Sequence, residues 1–346
     1  MDDFLASQVV HWQAQSGRHD LPWQNTRDPY RVWLSEIMLQ QTQVVTVQTY
    51  FARFLARFAD VQALAQAPLD EVLHLWAGLG YYSRARNLHR CAQDVVRLHE
   101  GVFPRSALQL QTLPGIGRST AAAIAALCFG ERVAILDGNV KRVLTRYLGF
   151  ADDLASASNE RHLWDQAAQL LPTRDLLHNM ARYTQGMMDL GATVCSSNNP
   201  SCPACPLSAR CVAHAMGTPE KFPLKTRKLK RSVQSIWLLW ALADDGAIWL
   251  SPRPTPGVWA GLYCLPLFED RQALQAAVGE PGSAPRLQDL PSFKHVLTHK
   301  DLYLHPVVLK LQGRHTLALE GQWYGAAQIA KMGLPAPIKK LLQQDL

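Results

Sequence analysis

Two domains of different class are predicted, an all-α domain over residues 1–218 and a smaller α+β domain over 232–346, joined by a basic linker at 219–231. Three observations carry this. The chain has 346 residues, 48% of them hydrophobic and 18% charged, enough for two domains of ordinary size with substantial cores. Up to about residue 216, apolar side chains recur at intervals of three and four, as in Val72, Leu75, Trp76 and Leu79, with short Pro/Gly breaks between segments. After the proline-punctuated stretch PEKFPLKTRKLKR, with Lys225, Arg227, Lys228, Lys230 and Arg231, the period changes to two. Ser235–Ala243 and Ala247–Ser251 then read as strands joined by the hairpin signal Asp244-Asp245-Gly246, with further short strands between Lys294 and Leu311.

Composition narrows the function classes. No run of about 18 apolar residues occurs, which argues against a spanning helix. The start, MDDFLASQVVHW, lacks the basic-then-apolar order of an export signal, so a cytoplasmic protein with no membrane partner is expected. A net charge of +7 favours polyanions such as nucleic acid. Cys91, Cys128 and Cys264 are scattered, whereas Cys195, Cys202, Cys205 and Cys211 crowd one segment. In a reducing compartment such clusters hold metal more often than disulfides.

The segments that carry chemistry follow in chain order. In WLSEIMLQQTQVV, Glu36 lies among Leu34, Ile37, Met38 and Leu39, where partial burial would raise its pKa and keep it protonated near neutrality. Glu36, Gln40 and Gln43 fall at i, i+4 and i+7, one polar stripe on a helix, which could equally face water. GLGYYSRARN offers a glycine turn, two tyrosines and the basic Arg84 and Arg86, suited either to a DNA wedge with phosphate contacts or to packing a helix junction. In LPGIGRSTAAAIAAL, Gly115 and Gly117 can take positive φ and Pro114 fixes the entry to a helix. The amides of such a turn, beside the positive end of the helix dipole, can hold a phosphate oxygen. Asp137, in AILDGNVKRVL, is either a plain helix N-cap or a fixed catalytic carboxylate, and the two are compatible. Four thiolates at C-x6-C-x2-C-x5-C suit zinc or an iron–sulfur cluster, although a single CxxC is unlike a zinc ribbon.

The string L-P-G-x-G-x-x-T-A, with Asp137 twenty residues past Gly117, resembles the helix–hairpin–helix of DNA repair glycosylases. SEIMLQQTQV, GLGYYSRARNLH, LPGIGRSTA, LDGNVKRVL and MMDLGATVC together resemble the adenine DNA glycosylases of the MutY type, in that family's order. The resemblance implies a helix–hairpin–helix at about 108–128 and a 4Fe-4S cluster held by Cys195, Cys202, Cys205 and Cys211 in the loop 195–211, with Arg210 turned toward phosphate. It implies that Glu36 protonates adenine at N7 and helps activate water, while Asp137 stabilises or captures the sugar cation. Strand-cutting relatives carry a lysine where Ser119 stands; a hydroxyl forms no imine, so hydrolysis without strand cleavage is expected, Ser119 assisting the pocket. Asn139 would orient Asp137 or the sugar, and Lys141 could crosslink to an opened abasic sugar. Gln41 and Tyr81 match residues inserted at the lesion, Thr42 and the Leu79 backbone touch the opposite base, and Arg84 is assigned to DNA contact. Gln185 matches a position lining the adenine pocket, although YTQGMMDLGA departs from the usual F-N-Q-A, and Trp23 would wall the same pocket.

In the second domain, SPRPTPGVWAGLYCLP resembles the strand-and-turn region of nudix-like domains. Only Glu269 and Asp270 follow as acids, too few for a Mg²⁺ cage, so no pyrophosphate hydrolysis is expected. The family uses this domain to recognise 8-oxoguanine through a loop that reads F-x-H-x-F-S-H. Here it runs Phe293-Lys294-His295-Val296-Leu297-Thr298-His299: Thr298 keeps a hydroxyl for the oxidised base, Leu297 replaces an aromatic, and both histidines are read as structural. The expected protein is thus a monomeric, monofunctional glycosylase acting on duplex DNA with adenine opposite 8-oxoguanine or guanine. Its rivals are a thymine-glycol type glycosylase/lyase and a non-catalytic DNA-binding module with zinc.

Overall fold

The computed structural model describes residues 3–226, 230–278 and 287–344; Arg227 and Lys228 of the basic stretch lie outside them. Two compact units form: Met1–Gln66 with Asn87–Lys228, and Ala67–Arg86 with Leu229–Leu346. Among the described residues, no helix is long and apolar enough to cross a membrane.

The first unit is helical. At its centre the Leu176–Thr193 helix packs against the helices Phe4–Ser16, Arg118–Phe129 and Gly138–Leu148. Small residues permit this closeness. In the Arg118–Phe129 helix, Ala121, Ala122, Ala123, Ala125 and Ala126 are all buried, and a Cβ at Gly186 would stand 2.8 Å from Val9 Cγ1. The core they enclose includes Leu5, Val9, Val143, Leu144, Met180, Met187 and Leu190. The Pro29–Leu39 helix starts with Pro at its first position and the Asp28 side chain accepting from Tyr30 N at 3.0 Å.

In the second unit the helix Leu69–Trp76 joins a mixed sheet. Its strands are β1 Ser232–Ala243, β2 Ile248–Pro252, β3 Tyr263–Cys264, β4 Leu267–Phe268, β5 Leu287–Asp289, β6 Phe293–Val296, β7 Lys300–Leu311 and β8 Gln322–Tyr324. The main order is β3-β2-β1-β7-β5, with β4 on β1, β6 on β7 and β8 on β2. The expected hairpin is present: Leu242 pairs with Ile248, and Gly246 turns the chain at φ +82°. β1 runs parallel to β7 from Ser232↔Lys300 to Ala243↔Leu311, in the middle of the sheet. That position buries Leu238, Leu239, Trp240 and Ala241 in succession, so both faces of β1 are covered and the alternation fades there.

Candidate active site

Glu36 lies near the end of the Pro29–Leu39 helix, which buries Val32, Trp33, Leu34, Ile37 and Met38. Glu36 itself lines a cavity of about 840 Å³ inside the first unit. Burial, and then the charge of Asp137, pushes its carboxyl up to about 7. Asp137 lines the same cavity. It caps the Gly138–Leu148 helix, Oδ1 accepting from Val140 N at 2.7 Å. Burial leaves its pKa raised as well, the amides of Val140 and Asn139 and the charges of Arg142 and Lys141 offsetting only part of that rise. Two carboxyl groups thus share one cavity. Asp137 has the amides and cations that hold a negative charge, whereas the charge beside Glu36 is Asp137 itself. Of the two, Glu36 is the one more readily protonated near neutrality.

The polar stripe expected of Glu36, Gln40 and Gln43 does not form. The helix stops at Leu39, Gln40 leaves helical space at φ −57°, ψ 109°, and Gln43 stands at the N-cap position of the Val44–Arg57 helix without a side-chain cap bond. Gln40 instead donates to Thr120 Oγ1 at 3.3 Å in the cavity wall. Between the two helices, Gln41 is held at φ +56°, a strained conformation for a residue with a side chain. Gln41, Thr42, Trp23, Ser119, Asn139 and Gln185 all line the cavity. Trp23 also packs edge-on to Phe51, 5.4 Å between rings, so it is wall and core at once. Ser119 Oγ accepts from Leu136 N at 3.1 Å, tying its helix to the extended segment that delivers Asp137. Lys141 does not line the cavity; its Nζ is paired with Glu160 at 2.6 Å.

The hairpin is built as expected at one glycine and differently at the other. Gly115 sits at φ +78°, and a Cβ there would stand 2.7 Å from Asn87 Cβ. Gly117 is extended instead, at φ −83°, ψ 172°, as N-cap of the Arg118–Phe129 helix. A Cβ at Gly117 would meet nothing within 4 Å, so its small size leaves the helix N-terminus open to an approaching ligand.

Several residues that no sequence pattern singles out hold the geometry together. Arg142 donates from Nη2 to Asn139 Oδ1 at 2.9 Å and to Gly191 O at 2.6 Å, and from Nε to Cys195 O at 2.7 Å. It joins the Asp137 helix to the cysteine segment. Gly191 lies flush against that helix, since a Cβ there would stand 2.6 Å from Asn139 Cβ. Asp189, fully buried, takes Arg18 at 2.6 Å and Gln185 Nε2 at 2.9 Å. An acid inside the apolar run MMDLGA is the available signal for it. Gln24 lines the cavity with both amide atoms buried and unpaired among the described residues.

The four clustered cysteines are unpaired by disulfides and line one pocket with Arg146, Leu207 and His214. Arg146 is buried and donates from Nη1 to Cys195 Sγ at 3.3 Å and to Ser196 O at 2.7 Å. Among the described residues no three His, Cys, Asp or Glu side chains stand at the spacing of a single-ion site. Four thiols around one pocket, with a buried guanidinium beside them, could hold an anionic metal–thiolate centre. Arg210, expected to face phosphate, is exposed and lays its guanidinium over the Phe4 ring, 4.2 Å from the centroid.

Leu79, Tyr81, Arg84 and Thr298 belong to the second unit. A cavity of about 650 Å³ there is lined by Tyr81, Arg86, Trp259, His295, Leu297 and Thr298 among others. Tyr81 is strained at φ +48°, and its hydroxyl is hydrogen-bonded to Thr298 Oγ1. Arg231 Nη2 donates to Leu297 O at 2.9 Å and holds this loop. His295 lies beside Trp259, and burial lowers its pKa. Arg84 is buried, pushed down to about 10, and donates from Nη2 to the carbonyls of Leu79 and Gly80 at 3.2 and 3.3 Å. It therefore braces the glycine turn and presents no exposed face to phosphate.

Residues 34–169 match the HhH-GPD superfamily of base excision DNA repair proteins, and residues 237–344 match the NUDIX domain. The chain is 36% identical over 348 residues to an adenine DNA glycosylase of Buchnera aphidicola subsp. Acyrthosiphon pisum (strain APS), covering 99% of this chain and 98% of that protein. It is 44% identical over 218 residues to the adenine DNA glycosylase of Mus musculus, covering 60% of this chain and 41% of that one. Among solved structures, a thermostable thymine-DNA glycosylase superposes with a TM-score of 0.54 at 28% identity, over 61% of this chain and 95% of that one. A non-covalent endonuclease III–DNA complex gives 0.51 at 21% identity, over 63% and 98%, and shares the fold.

Proposed function

This chain belongs to the adenine DNA glycosylase family of base excision repair enzymes, and we propose that it removes adenine mispaired with 8-oxoguanine or guanine and leaves the strand uncut. DNA is its partner, and the bond it hydrolyses is the N-glycosidic bond of adenine. The observation that carries the finer reading is the sharing of one cavity by Glu36 and Asp137 with their proton affinities set apart.

In this reading the duplex backbone is gripped at the Gly115–Gly117 turn and the adenine is swung into the cavity, at a cost of a few kcal/mol. Glu36, still protonated near neutrality, delivers its proton to N7 and turns adenine into a leaving group; it then takes a proton from the attacking water. Asp137, held by amides at its helix N-terminus, faces the sugar carbon as positive charge develops there. Asn139 is oriented by Arg142, and Ser119 fixes the backbone before Asp137. Gln41 and Tyr81, already in left-handed conformations, are the residues inserted at the lesion, with Thr42 and Leu79 beside the opposite base. Thr298 reads the oxidised base. Cys195, Cys202, Cys205 and Cys211 hold a 4Fe-4S cluster, which supplies a rigid structural centre. Residues 1–218 act as the glycosylase domain, 219–231 as linker and 232–346 as the lesion reader, in a cytoplasmic monomer.

The test is incubation with duplexes carrying adenine opposite each of several bases, scoring base loss and strand nicking separately. Base loss without nicking, fastest opposite 8-oxoguanine, is expected. Nicking in step with base loss, or equal rates opposite all four normal bases, overturns the reading.

A further inference from the structure

Gln185 and Arg18 both line the cavity of the first unit, and behind them stands Asp189, which does not. The Asp189 side chain is 0% exposed. Donors converge on its two oxygens. Oδ1 accepts from Arg18 Nε at 2.7 Å, Arg18 Nη2 at 2.6 Å and Gln185 Nε2 at 2.9 Å, and Oδ2 accepts from the Arg18 backbone amide at 3.1 Å. Gln185 and Asp189 are one helical turn apart on the Leu176–Thr193 helix, the spacing at which such side chains meet.

An ionised carboxylate accepts hydrogen bonds and donates none, so the amide that faces it must offer its NH₂. Turning the Gln185 amide over would set its oxygen against the oxygen of a carboxylate that has no solvent exposure. Asp189 thereby decides which end of Gln185 is left for the cavity. A bare glutamine presents donor or acceptor with equal ease; one whose NH₂ is taken by Asp189 has its oxygen left to offer.

We propose that Asp189 is a positioning residue for base selection: by taking the amide donor of Gln185, with Arg18 as its counter-ion, it leaves Gln185 Oε1 to accept from the 6-amino group of the substrate purine and to repel a 6-oxo group. The proposal rests on the reading of the cavity as the adenine pocket. Discrimination then comes from polar mismatch, which separates close analogues more sharply than shape does. A buried ion pair is weak evidence of stabilisation in itself, and a role in holding one amide orientation accounts for its presence beside the pocket.

The experiment measures single-turnover base release from duplexes carrying adenine, unsubstituted purine or hypoxanthine opposite 8-oxoguanine. Wild type is expected to favour adenine over hypoxanthine. Asp189→Asn frees the Gln185 amide to turn and should reduce that preference by roughly tenfold or more. A merely structural loss slows all three bases together and leaves the ratio where it was. Gln185→Glu combined with Asp189→Asn moves the carboxylate to position 185, where one oxygen accepts from the amide introduced at 189 and the other faces the cavity, and should restore the preference. An unchanged ratio in Asp189→Asn overturns the proposal, as does a double variant that folds without regaining the preference. Should the single variant not fold, the double variant, which keeps one carboxylate in the cluster with Arg18, decides alone. A wild type that releases no adenine sinks the pocket reading instead, so the two failures are told apart.

Discussion

Replacing Glu36 by Gln tests both the chemistry and the physics of its surroundings. In the native chain the carboxyl is raised from 4.5 to about 7 by burial and by the Asp137 charge. A tenfold change in proton affinity corresponds to about 1.36 kcal/mol, so ionising Glu36 costs the folded state about 3 kcal/mol relative to the unfolded chain. The direction follows from proton counting. Between pH 4.5 and about 7 the native state holds a proton that the unfolded state has lost, so stability falls as pH rises through that window and stays lowered above it. Glutamine is neutral throughout and escapes the penalty. Glu36→Gln should therefore melt close to wild type near pH 5 and outlast it near pH 8.5. The margin should be about 2–3 kcal/mol after allowing for the access of cavity water to the side chain, or on the order of 5–10 °C for a domain of this size. The same variant should bind a mismatched duplex normally and lose base release by at least about a hundredfold. Calorimetric melts at the two pH values and a single-turnover assay check this. A stability difference that does not grow with pH would show that Glu36 is not held protonated by burial, and undiminished base release would remove it as the acid.

Wild-type base release should itself fall as pH rises through about 7, where Glu36 loses its proton, and a rate that stays flat to pH 9 would remove Glu36 as the acid. Ser119→Lys should place an amine in the cavity beside Asp137 and introduce strand cleavage on an abasic duplex; borohydride that traps no more of the variant than of wild type contradicts this account of the position. Gly115→Ala should cost about 1–3 kcal/mol of stability because of its φ of +78° and the Asn87 side chain, whereas Gly117→Ala should melt unchanged and still weaken duplex binding; equal losses of Tm would show that the two glycines do one job. Thr298→Ala should leave excision opposite guanine intact and reduce the preference for 8-oxoguanine, read from paired single-turnover rates.

What is legible in the sequence, and what is not, divides along the range of the interaction involved. The change of period near residue 231 announces a second domain because periodicity is a local property. That Ala67–Arg86 groups with the later strands is not readable from Val72, Trp76 and Leu79, whose spacing marks a helix but not its neighbours. Neither glycine nor proline marks the end of the helix at Leu39, so spacing alone runs through it; contacts such as Gln40 to Thr120 decide it. Glu36 and Asp137 stand out through their motifs, yet their meeting in one cavity depends on helices a hundred residues apart. Arg142 gives no such signal, and Asp189 gives only that of an acid within an apolar run. A lone charge on an amphipathic helix looks solvated until its partners are seen.

Gly191 shows how finely the site is fitted. Its α-carbon bears only hydrogens where the helix carrying it lies against Asn139, two residues from Asp137, and not even a methyl group would fit without moving that backbone. The carboxylate proposed to meet the sugar is thus set in a bearing with no clearance. A coding change at this codon would shift Asn139 and its neighbour Asp137 while leaving the identity of every pocket-lining residue unchanged, so the alignment of the site hangs on a position with no functional group at all.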